Sequence, residues 1–157
     1  MYIDDFLKLS DAQALTQTAI SENVIDLTTA RSIGSGEPMS CYFVVTTAAD
    51  VADGDEDYTF EVKYATNAAL TTGEQLLGRR IFESGTPTAP TQDADLLAAG
   101  FLFSIPLPPV SSGETARYLG VEYTLAGTTP SVTVDCWIAP TSMGDQLANH
   151  ANGYTVE

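Results

Sequence analysis

A chain of 157 residues with 21 Asp plus Glu against six Lys plus Arg carries a formal net charge of −15, which repels nucleic-acid phosphates and anionic lipid and argues against both as partners. Its length suits one domain able to bury roughly 68–70% of its unfolded surface. With 44% hydrophobic residues it reads as folded rather than disordered, and no run approaches the roughly 18 apolar residues that cross a bilayer.

The opening MYIDDFLKLS has two Asp where a signal peptide carries Lys or Arg, so residues 1–9 are read as an arm of the mature protein and residues 10–157 as a single domain. Ile3, Phe6 and Leu7 would share a face if the arm were helical, yet nine residues are too few to hold a helix alone. Tyr2, Ile3, Phe6 and Leu7 are therefore contact candidates, toward their own domain or toward a neighbouring subunit.

From Thr16 onward, alternation with period two recurs and a long helical pattern does not. Thr16 to Leu27 predicts one or two short strands, and Arg31 to Pro38 a Gly-rich turn. Met39 to Ala48 predicts a strand with Met39, Cys41, Phe43 and Val45 on one face and apolar Tyr42 and Val44 on the other, as in a central or interface strand. An acidic loop over Asp50 to Asp57 leads into Tyr58 to Ala65, where Tyr58, Phe60, Val62 and Tyr64 alternate with Thr59, Glu61 and Lys63. Asn67 to Gly73 reads as a turn and Gln75 to Glu83 as a strand. Thr86 to Asp95 reads as a Pro- and Thr-rich loop running into a short helix over residues 93–99. Phe101, Phe103, Ile105 and Leu107 form a strand that Pro106 pushes toward an edge. Leu119, Val121, Tyr123 and Leu125 then point inward on one strand, and Val132, Val134, Cys136 and Ile138 on the next, with Gly127 to Pro130 closing a hairpin between them. About eight strands at this spacing predict an all-β domain, a jelly roll or antiparallel β-sandwich with an N-terminal arm.

Candidate chemistry is sparse. His150, the single histidine, lies in a polar tail with no second ligand at metal spacing. Ser35 lacks the Gly-x-Ser-x-Gly spacing of a nucleophile elbow, and Gly34-Ser35-Gly36-Glu37-Pro38 has neither the Lys nor the third Gly of a phosphate loop. No catalytic residue and no cofactor is assigned, and the expectation is a protein that is not an enzyme. Asp53, Asp55 and Asp57 around Gly54 form a weak calcium candidate. Cys41 and Cys136 read as buried free thiols, with a cross-strand disulfide as the alternative. Trp137, on the face opposite Cys136 and Ile138, is either covered by a loop or an interface anchor, and Tyr42 and Tyr118 are similar candidates.

MYID together with SDAQALTQTAISENVIDLTTARSIGSGEP resembles the N-terminal signature of tailed-phage capsid cement (decoration) proteins of the Bordetella-phage type. RYLGVEYTLAG followed by PSVTVDCWIAP is similar to the hairpin that ends those domains, and NGYTVE to their C-termini. DVADGDEDY and Gly85–Pro90 have no counterpart in that pattern. The resemblance implies a small jelly roll on the outside of an icosahedral head, made in the host bacterial cytoplasm and localised to the virion. There it would bridge and stabilise major capsid subunits as a homo-oligomer, a homodimer first and a trimer second, without nucleic acid or membrane as partner. The alternative is a carbohydrate-binding jelly-roll module of a phage or secreted enzyme, which would need Tyr and Trp on one face beside a calcium loop.

Overall fold

The computed structural model describes residues 7–28, 36–85, 92–108 and 116–142. They form ten strands: β1 (Lys8–Leu15), β2 (Ala19–Ile20), β3 (Ile25–Asp26), β4 (Met39–Thr47), β5 (Asp57–Ala65), β6 (Gln75–Glu83), β7 (Gln92–Asp93), β8 (Leu102–Leu107), β9 (Tyr118–Ala126) and β10 (Val132–Pro140). One 3₁₀ turn, Ala94–Leu96, stands where a short helix was predicted. With β2 and β3 taken as one interrupted strand and the two-residue β7 set aside, the described residues hold the eight strands expected from the periodicity.

A four-stranded sheet runs β1-β10-β4-β8, and a second sheet runs β2-β9-β5-β6-β7 with β3 also on β9. Pairing is nested: β1 with β10, β2 and β3 with β9, β4 with β8, β5 with β6. The chain is thus one long hairpin rolled so that successive rungs fall in opposite sheets, which is jelly-roll winding. Among the described residues only β6–β7 is parallel.

Alternation explains which residues meet between the sheets. On β5, Tyr58, Phe60, Val62 and Tyr64 are buried while the residues between them are partly exposed, as period two dictates for a strand with one wet face. Phe60 is the centre of the core. Its ring meets Phe43, Phe82, Phe103 and Tyr123 edge-on at centroid distances of 5.5, 5.8, 5.1 and 5.6 Å, the geometry that aromatic quadrupoles favour. Along one side of the sandwich the sheets approach closely: a Cβ on Gly78 of β6 would lie 2.5 Å from Ile105 Cγ2 of β8.

Three expectations need correction. Leu9 is fully buried and Leu7 packs on the core, so these two positions of the 1–9 segment belong to the packed body. β1 itself was not predicted as a strand, because two register shifts against β10 break its alternation and put Ala12 at φ 46°, a bulge that the Asp135 carboxylate holds by accepting the Ala12 N–H at 2.6 Å. Residues 127–130 do not close a hairpin: β9 and β10 lie in different sheets, so this turn is a crossover.

That crossover is fastened to the acidic loop. Asp55 accepts both the N–H and the hydroxyl of Thr128, each at 2.9 Å. Asp50 N–H donates to Ser131 C=O at 2.8 Å, Ser131 N–H donates to Tyr58 Oη at 3.2 Å, and the Tyr58 hydroxyl donates to Asp50 C=O. Gly127 turns at φ 98°, and a Cβ there would collide with the Asp55–Glu56 backbone.

Candidate contact surface

The outward face of the four-stranded sheet is aromatic. Trp137 on β10 pairs with Tyr42 on β4 and with Lys8 on β1. The Trp137 and Tyr42 rings stack at 6.0 Å and 19°, and Ala139, Val44 and Leu102 complete the cluster. The Tyr42 hydroxyl donates to Pro140 and Thr141 carbonyls at 3.3 and 3.1 Å, while the Trp137 indole N–H has no acceptor among the described residues. The two rings nominated from sequence therefore share one site, and both are buried within the chain, Trp137 at 4% and Tyr42 at 3% exposure. A sugar-binding platform needs an open aromatic face, which Trp137 does not offer.

The outward face of the six-stranded sheet is ionic. Lys63 on β5 meets Glu61, Glu74 and Glu122, with Nζ–O distances of 3.1 and 3.0 Å to the first two. Burial pushes the Lys63 ammonium down, yet the three carboxylates outweigh it and hold its pKa well above the ordinary lysine value. Arg117 pairs with Asp26 and lies 5.1 Å over the Tyr118 ring. Tyr118 is thus part of this face and is not brought to the Trp137 site.

The calcium candidate resolves into structural hydrogen bonds. Glu56 is fully buried and accepts the N–H groups of Asp53 and Asp55 at 3.0 and 3.1 Å and the Ser84 hydroxyl at 2.9 Å. Burial pushes its carboxyl up, but these donors prevail and hold it below the usual range. Asp57 moves the other way, raised by burial and by the neighbouring charges of Glu83, Asp55 and Glu56. No group of three or more metal-ligating side chains occurs among the described residues. The candidate Asp53, Asp55 and Asp57 do not converge: Asp55 is turned to Thr128 and Asp57 opposes Glu83 across β5–β6.

Cys41 and Cys136 are free, fully buried and 3.2 Å apart at sulfur, diagonal neighbours on β4 and β10. Burial pushes the Cys136 thiol and the Tyr123 phenol well up, so both stay neutral. Tyr123 Oη also meets Ser10 Oγ at 2.8 Å, and Ser10 donates to Gln13 Oε1 at 2.7 Å, anchoring the bulged β1 to the opposite sheet.

Of the other sequence candidates, Leu7 is packed on the main core, and Tyr2, Ile3, Phe6, Ser35 and His150 lie outside the described residues. Two surface residues escaped the sequence reading. Leu76 and Leu96 are the exposed large hydrophobics among the described residues, at 50% and 47%. Each belongs to a Leu-Leu doublet whose other member packs inward: on β6 the adjacent side chains of Leu76 and Leu77 take opposite faces, and Leu96 ends the 3₁₀ turn.

No curated protein matches the sequence. The Bbp16 family matches it over residues 9–138, a span that runs from the first buried residue of β1 to the end of the inward-facing positions of β10. The chain belongs to the Bbp16 family.

Proposed function

We propose that this protein is a capsid decoration protein, which binds the outside of an icosahedral phage head, bridges major capsid subunits and stabilises the shell. Membership of the Bbp16 family over residues 9–138, whose name fits a Bordetella phage protein, supports the reading, and a closed jelly-roll body suits it: nested pairing leaves a rigid block that can be seated without refolding. The mechanism is mass action. A protein that binds only the assembled shell stabilises it by about 2.7 kcal/mol per site when free protein stands at 100 times Kd, and many equivalent sites repeat that term. Leu76 and Leu96 are the apolar contacts the described surface offers, with Tyr118 beside Arg117 on the outward face of the second sheet. The acidic surface, at net −15, disfavours adhesion to packaged or free nucleic acid. The protein acts as a homo-oligomer, a dimer first.

Co-sedimentation with purified heads stripped of the protein tests the reading. Saturable binding that raises the temperature of DNA release is expected, and an absence of binding to intact, expanded heads would overturn it. L76D/L96D should weaken capsid binding at least tenfold without altering the folded body.

A further inference from the structure

Cys41 and Cys136 are the two cysteines of the chain, and the fold brings them together across a sequence separation of 95 residues. They belong to the buried core cluster and sit on β4 and β10, the two inner strands of the four-stranded sheet. Cys41 lies opposite Ile138 and Cys136 opposite Phe43, so the pair is diagonal. A diagonal holds side chains farther apart than a direct pair does, yet the two Sγ atoms are 3.2 Å apart, which means that each thiol leans toward the other. A covalent bond needs about 2.05 Å, a closure of roughly 1 Å that the two side-chain torsions and the strand pair share. The thiols are free in this structure and fully buried. Burial keeps Cys136 protonated, and a buried thiol is inert because the thiolate is the nucleophile.

We propose that Cys41 and Cys136 are a latent disulfide: a low-molecular-weight disulfide of the oxidised-glutathione class converts them to a bridge that ties β10 to β4, and the closed fold admits this oxidant only when the four-stranded sheet opens. The chemistry is two exchanges. One cysteine, as thiolate, attacks a sulfur of the oxidant, forming a mixed disulfide and expelling one small thiolate, which takes up the proton that the cysteine lost. The second cysteine then attacks the protein-side sulfur, forming the Cys41–Cys136 bond and expelling the second small thiolate, which takes up the second proton. Two protein thiols are oxidised and one small disulfide is reduced to two thiols. Because β10 is held on both sides, by β1 and β4, access requires strands to part, and the rate follows the opening equilibrium. Once formed, the bridge closes a long loop in the unfolded chain and so disfavours unfolding. The inference goes beyond the capsid reading and does not depend on it.

The test uses the full chain in two arms. Refolding from denaturant in a buffer of oxidised and reduced glutathione gives the oxidant access to both cysteines. The monomer recovered should have lost two hydrogens in intact mass and should yield a Cys41–Cys136 linked peptide. Emission of Trp137, the single tryptophan and the neighbour of Cys136 on β10, should match that of the reduced native protein. The thermal midpoint should stand about 10 °C above that of the reduced form and return to it with dithiothreitol. C136A should stop at the mixed disulfide and show no such rise. In the second arm the reduced native protein meets oxidised glutathione directly, and bridging should be slow in buffer and several-fold faster in sub-denaturing urea. Native-emission protein that emerges from the refolding arm with both thiols still free, bridges that only join separate chains, or a bridge that leaves the midpoint unchanged or lower would each overturn the proposal. Rapid bridging that ignores urea would overturn the gate.

Discussion

The outward faces of the two sheets are built by opposite rules. On the four-stranded sheet, Trp137, Tyr42, Val44 and Leu102 form an apolar floor that is buried within the chain. On the six-stranded sheet, Glu61, Lys63, Glu122 and the Arg117–Asp26 pair form an ionic lattice open to solvent. The first behaves as a second, smaller core; the second behaves as a surface. A two-sheet sandwich needs only one buried face per sheet, so the buried aromatic second face sets the four-stranded sheet apart.

Truncation separates the two behaviours most sharply. W137A should cost about 3–5 kcal/mol in denaturant unfolding, the range for a buried aromatic, whereas an ordinary surface ring would cost within about 0.5 kcal/mol. On the ionic face, K63M leaves three carboxylates facing one another and should cost about 1 kcal/mol at low salt, shrinking toward zero in molar salt. Because the folded pKa of Lys63 is raised, its contribution is complete below the unfolded value near 10.4 and is lost as pH rises through the folded one. The advantage of wild type over K63M should therefore fade only in strong alkali.

Adjacent carboxylates give a finer contrast. Glu56, held below the usual range, contributes stability above the unfolded carboxylate pKa that disappears as pH falls through its folded value, so E56Q should lower the midpoint at pH 7 and matter little in acid. Asp57 is raised, so its ionised form opposes folding at pH 7. D57N should stabilise there, by about 0.5 kcal/mol or less given solvent screening, and the gain should vanish as pH falls through the folded Asp57 value. The smallest effect is a null one: a thiol reagent should find neither Cys41 nor Cys136 in the native protein and both in denaturant.

Much of this was legible in the sequence where period two is unbroken. β4, β5, β6 and β10 fall within a residue or two of the runs that alternation picks out, and the inward sets Cys41-Phe43-Val45 and Val132-Val134-Cys136-Ile138 are buried as read. β1 was hidden because its bulge places polar Ser10 and Gln13 inside, where Tyr123 and the Ile20 carbonyl satisfy them; alternation cannot announce a buried polar network. The crossover at 127–130 was misread because sequential strands are neighbours about two-thirds of the time, and what sends this turn to the other sheet is its tie to Asp55 and Tyr58, more than 70 residues upstream. The same long-range tie explains the acidic loop. Asp53, Asp55 and Asp57 read as a weak calcium candidate in sequence, and in space Asp55 accepts from Thr128 while the neighbouring Glu56 accepts the N–H groups of Asp53 and Asp55.

Nested pairing also sets the order in which the protein can be made. The last long strand, β10, lies between β1 and β4 and is the partner of both, so the four-stranded sheet has no interior until synthesis passes Pro140. Until then β1 waits with its core residues Leu9 and Leu15 uncovered. Folding is therefore held to the end of translation and dominated by contacts between distant residues, which makes it slow among domains of this size. Each copy of the chain emerges with its first strand unpaired, and the net charge of −15 that repels one finished body from another acts between unfinished ones as well.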